Sequence, residues 1–182
     1  PEVAAALGAA LEMGDATRRP LVIEALGRIG TPAAAGVLAS LIRAGGTSAE
    51  DALRAAAHAG HGALKPLLAI LEDAPPGARQ NLVEAIARTG DARGFAALLN
   101  RMCSRDPALV QAVRDGLRHA LGGLNAKGRE ALLKGVHDAL GRKAFASCEP
   151  ACVGALELAG ALGAAESLPV LLKFTGARST PA

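Results

Sequence analysis

Gly30, Gly60 and Gly90 stand 30 residues apart, and each closes an apolar stretch of helical spacing. A fixed period of this length means that one supersecondary unit recurs and that each copy buries its apolar face on its neighbours. The clearest copy is Arg19 to Ile42, RPLVIEALGRIGTPAAAGVLASLI, which reads as an apolar helix, a break at Gly30-Thr31-Pro32, and a second apolar helix. Its Leu38, Leu41 and Ile42 return as Leu67, Ile70 and Leu71, then as Leu98 and Met102, Leu132 and Val136, and lastly Leu171 and Phe174. Gly163 matches the three turn glycines later in the chain.

Apolar spacing, caps and breakers predict helices over residues 3–13, 33–44, 49–59, 63–72, 78–88, 92–103, 107–121, 126–140, 150–162 and 166–174, with another between Thr17 and Gly30. Thr17, and Thr47 or Ser48, are the expected N-caps of the second and fourth helices, and Asp106 before Pro107 caps the eighth. About eleven helices and no strand are therefore expected. They form one domain over 1–174, arranged as about five hairpins and a final unpaired helix, with 175–182 as a linker or tail. After the fourth unit the period stretches across GRKAFASCEP, and insertions in repeat arrays map to loops on one face.

Composition agrees with closely packed helices. Hydrophobic residues make up 51% of the chain but aromatics only 2%, so Ala and Leu carry the apolar fraction, and both are strong helix formers. No uninterrupted apolar run is long enough to span a membrane, and no basic leader precedes the first apolar stretch. The three cysteines, Cys103, Cys148 and Cys152, are too few for a disulfide framework; with no targeting segment in view they lead to the expectation of a cytoplasmic protein. The opening at Pro1, without Met, is expected of a piece cut from something longer.

The quoted segment ALGRIGTPAAAGVLASLI, and less closely AIARTGDARGFAALLNRM, resembles the short HEAT-type repeats of phycobilisome-lyase-like proteins, and the resemblance extends over essentially the whole chain. It implies a right-handed α-solenoid in which first helices form an outer convex layer and second helices line an inner concave one. The same stack serves scaffolds, regulatory subunits, bilin lyases and DNA-repair enzymes, so function must come from particular residues.

Aligned on their closing glycines, the second helices place Glu24, Arg54, Glu84 and Glu157 at one position, with Arg118 or His119 in the fourth unit. The signs alternate, and adjacent packed helices lie about 10 Å apart, within reach of long opposite charges. This row is expected to be a ladder of weak ion pairs first and a recognition surface second. A second feature is local: residues 92–146 hold 10 Lys/Arg against 4 Asp/Glu, while 1–91 hold 8 against 10. Arg101, Arg105, Arg114, Arg118, Lys127, Arg129, Lys134, Arg142 and Lys143 make up most of the excess. With no Trp or Tyr to stack bases, an acidic protein segment is expected on this basic region rather than nucleic acid.

Other constellations fall short of chemistry. Cys148 and Cys152 with His137 are one ligand short of a zinc site, so the two thiols are expected to pack, or to form a local disulfide. His137-Asp138 lacks the further ligands of a metal phosphohydrolase, and His58 and His61 have no carboxylate at a motif spacing. No nucleophile with its base and no phosphate loop is present, so no enzyme, cofactor or metal is expected. The expected function is a non-catalytic protein-binding or scaffold module. It uses Glu24, Arg54, Glu84 and Arg88 of the concave face with Arg114, Arg118, Lys127, Arg129 and Lys134 of the basic region. A bilin lyase, a DNA glycosylase or a nucleic-acid-binding solenoid is the alternative, and the apolar terminal helices suggest weak self-association.

Overall fold

The computed structural model describes residues 2–13, 17–163 and 165–176, and among them every regular element is helical, with no strand. The helices are α1 (Glu2–Met13), α2 (Arg19–Ile29), α3 (Pro32–Ala44), α4 (Thr47–Ala59), α5 (His61–Leu71), α6 (Pro76–Arg88), α7 (Ala92–Arg101), α8 (Pro107–Ala120), α9 (Ala126–Leu140), α10 (Lys143–Ala146), α11 (Glu149–Leu162) and α12 (Leu168–Gly176). Short 3-10 turns lie at Leu121–Gly123 and Ala165–Ser167. The stretched connection before α11 is thus partly helical, since α10 is a single turn that the spacing did not predict. Of the expected tail, residues 177–182 lie outside the described residues.

Local chemistry explains most boundaries. Thr31, Asp91, Asp106 and Asn125 each accept a backbone N–H of the first turn they cap, which satisfies donors with no helical partner. Two expected caps are corrected. Arg18 rather than Thr17 precedes α2, and Gly46 precedes α4, in both cases without a side-chain cap. At the second site consecutive positive-φ glycines, Gly45 and Gly46, turn the backbone straight into the helix, so Thr47 and Ser48 already lie inside it.

Alternate helices pack on one another. In one series α2 lies on α4, α4 on α6, α6 on α8 and α8 on α11; in the other α1 lies on α3, α3 on α5, and α7 on α9. The recurrent apolar positions are what these contacts bury: Leu38, Ile42, Leu67, Leu71, Leu98, Met102, Leu132 and Val136 are all fully inaccessible. Small residues permit the close approach. A Cβ on Gly27 of α2 would come within 2.6 Å of the Ala55 carbonyl of α4, and one on Gly116 of α8 within 2.6 Å of Val83 of α6. The closing glycines Gly30, Gly60, Gly90 and Gly163 all have positive φ, which is why that residue type marks the period. The last helix is less covered: Leu171 and Phe174 pack partly against the core, while Leu168 and Leu172 are 60% and 62% exposed. No helix is long and apolar enough to cross a membrane among the described residues.

Candidate functional site

The series α2, α4, α6, α8 and α11 carries the charge row that the repeat alignment predicts. Glu24 of α2 and Arg54 of α4 line one cleft of about 410 Å³, together with Arg28, Asp51, His58 and the exposed Leu21. Arg54 also lines a second cleft of about 390 Å³, where Glu84, Arg88 and Asn81 of α6 and His119 of α8 complete the wall. Two clefts therefore meet at one arginine, and Glu24, Arg54 and Glu84 lie along them in that order.

Their pairing differs from the expected ladder. The ion pairs of Arg54 run within α4, to Glu50 at 3.9 Å and Asp51 at 3.5 Å, because partners one turn away on the same helix are nearer than those across a cleft. Glu84 is a buried carboxylate, held by Arg88 at 2.5 Å with the His119 ring at 3.8 Å. A charge at that depth needs a partner, since removing one member strands the other in a poorly solvated site. Farther along, Arg114 and Arg118 both donate to the same Glu157 oxygen, at 2.8 and 2.9 Å, and so join α8 to α11. The alternatives of the fourth unit are both used, with His119 directed to Glu84 and Arg118 to Glu157.

The basic excess is distributed rather than gathered into one patch. Lys127, Arg129 and Lys134 lie on α9, which packs against α7 and α11, whereas Arg114 and Arg118 belong to α8. Arg129 donates to the Leu124 and Leu121 carbonyls and so ties down the 3-10 turn before its helix. Arg101 pairs with Glu72 at 2.9 Å, and Arg142 donates to Asn100 while its guanidinium lies 5.7 Å from the Phe145 ring centroid. Lys127 and Lys134 are exposed.

His61, Asp91 and Arg93 form a polar cluster that no motif spacing marks. The His61 Nδ1 lies 2.5 Å from Asp91 Oδ2, and Arg93 bonds both oxygens of the same carboxylate. Asp91 is buried, and the Arg93 guanidinium, together with the N-capping bond and His61, holds its carboxyl well below the usual carboxylate range despite that burial. The signal was available in the sequence: His61 and Asp91 directly follow Gly60 and Gly90, so they are equivalent positions of successive units. Arg28 and His58, which line the first cleft, are equivalent in the same way, one helical turn beyond Glu24 and Arg54 and 30 residues apart. Asp106 is likewise lowered, chiefly by the Arg79 guanidinium at 2.7 Å.

The cysteine and histidine expectations resolve differently. The Cys148 sulfur contacts the Met102 carbonyl at 4.0 Å, beside Cys103, while Cys152 lies one turn along α11 with its side chain against the core. His137 faces Ser167, with Nε2 3.3 Å from the hydroxyl. No group of three or more His, Cys, Asp or Glu residues placed to hold a metal ion occurs among the described residues. No family model matches the chain, and no curated protein matches it.

Proposed function

We propose that the chain is a HEAT-type α-solenoid segment that acts as a non-catalytic protein-binding module, with α2, α4, α6, α8 and α11 as its binding face. The observation that carries this reading is the junction of two clefts at Arg54. A single extended partner segment laid across α2, α4, α6 and α8 would touch Leu21, Glu24, Arg54, Glu84, Arg88 and His119 in succession. Such a face mixes one apolar anchor with charges that are already oriented by neighbours, and oriented charges give specificity at low ordering cost. The acidic-segment expectation narrows accordingly to Arg54, Arg88, Arg114 and Arg118, and Lys127, Arg129 and Lys134 become a separate surface.

The test compares two variants in affinity capture from native lysate. Leu21→Asp with Arg54→Glu alters the clefts, and Lys127→Glu with Lys134→Glu alters the α9 surface. Proteins retained by the wild type and the α9 variant but lost by the cleft variant support the reading. Equal retention by all three, or a shift of duplex DNA that only the α9 variant abolishes, overturns it.

A further inference from the structure

The loop between α7 and α8 and the N-terminal end of α11 are distant in sequence, yet each carries a cysteine at the point where they touch. Cys148 is the N-cap residue of α11, and its sulfur lies 4.0 Å from the carbonyl oxygen of Met102, the residue bonded to Cys103. Both sides of this contact are anchored. Met102 is fully buried, with its methyl group 3.2 Å from where a Cβ on Gly154 of α11 would stand. On the other side Phe145 is buried, and Arg142 bonds Asn100 at 2.8 Å, which presses the stretched connection onto the end of α7. Cys103 lines an open cleft of about 370 Å³ beside Glu72, Asn100 and Arg101, and Cys148 is only half-buried, so a small reagent can reach this contact. All three cysteines are thiols in this structure.

We propose that Cys103 and Cys148 are the two halves of a reversible disulfide that bolts the α7–α8 loop to the start of α11. The oxidant is a low-molecular-weight disulfide such as oxidised glutathione. The Cys148 thiolate attacks one sulfur of that reagent and releases the other half as a thiol, leaving a mixed disulfide on Cys148. Cys103 gives its proton to solvent and attacks the Cys148 sulfur, and the second half leaves. In sum, two protein thiols are oxidised to one disulfide and one external disulfide is reduced to two thiols. In the reduced chain, partial loss of solvation and the neighbouring Cys148 push the Cys103 thiol up to about 11, and displacement by Cys103 quickens as pH rises.

The assignment selects this pair over the one that is near in sequence. Cys152 lies inside α11 with its side chain against the core, whereas Cys148 precedes the helix with an extended backbone and turns its sulfur to the α7–α8 loop that carries Cys103. A bond across the contact would brace α8 and α11 at the place where the repeat period is interrupted, and it closes a long loop of the unfolded chain.

The test uses the full chain, purified reduced and treated with oxidised glutathione at pH 8. The expected product has lost two hydrogens, retains one reactive thiol, and yields a Cys103–Cys148 linked peptide on digestion. Cys152→Ser forms the same bond, whereas Cys103→Ser stops at a glutathione adduct. The oxidised chain unfolds at a temperature roughly 5–10 °C higher, and dithiothreitol reverses the shift. A Cys148–Cys152 linkage, three thiols that remain reactive, or unresolved adducts in the wild type overturn the proposal.

Discussion

Arg114 of α8 donates to Glu157 of α11 at 2.8 Å, and Arg118, one turn along, donates to the same oxygen at 2.9 Å. Two guanidinium groups converge on one carboxylate, so the loss of Glu157 affects both while the loss of either arginine leaves a pair intact. Arg118 and Glu157 are well exposed, which limits what the cluster contributes. A double-mutant cycle of Arg114→Ala with Glu157→Ala is expected to give a coupling of about 0.2–1 kcal/mol that shrinks at high salt. Urea denaturation of the four proteins at two salt concentrations measures it.

The intrahelical pairing of Arg54 leads to a different outcome for Glu24. Since Arg54 is held by Glu50 and Asp51, the changes Glu24→Arg and Arg54→Glu are expected to add, with a coupling below about 0.5 kcal/mol, and the double swap restores nothing. Recovery of stability in the double variant would show that the two side chains meet across the cleft after all.

Leu38 and Leu67 occupy equivalent and fully buried positions on α3 and α5. Truncating either to Ala removes apolar area and leaves a cavity between stacked helices, at a cost of about 2–5 kcal/mol. Chemical denaturation gives this directly, and a loss under about 0.5 kcal/mol at both sites would contradict the packing.

Asp91 supplies a pH signature. Its folded-state carboxyl lies below the unfolded value near about 3.9, so its contribution to stability is complete above that value and is lost as pH falls through the folded one. Asp91→Asn removes this dependence. The stability gap between wild type and variant is therefore expected to be constant from neutral pH down to about 5 and to narrow below about 4. A gap that widens on acidification would reverse the sign.

The exposed Leu168 and Leu172 on α12 form an apolar edge at the end of the helical array. Apolar edges of this kind mediate contact between molecules. The chain is expected to show a mean mass that rises with concentration in sedimentation, and Leu168→Glu should suppress the rise with circular dichroism unchanged. A wild type that stays monomeric throughout refutes the expectation.

The sequence by itself determined eleven of the twelve described helices, all but the single turn α10, with their order and their buried faces. These follow from local properties: apolar residues at helical spacing, proline in first turns, Asp or Asn at caps, and glycine where φ must be positive. Leu38, Leu67, Leu98 and Leu132 were legible as core because the period repeats them. What it could not determine was which charged and sulfur-bearing side chains meet. Arg54 turned to its own helix rather than toward Glu24, and His119 and Arg118 divided between Glu84 and Glu157. Asp91 met His61, and the Cys148 sulfur met the Met102 carbonyl beside Cys103. Long side chains choose among partners that differ by only a few tenths of a kcal/mol. The choice therefore rests on helix offsets of a few ångströms, and those are decided by tertiary packing at Gly27, Gly116 and the stretched connection before α11.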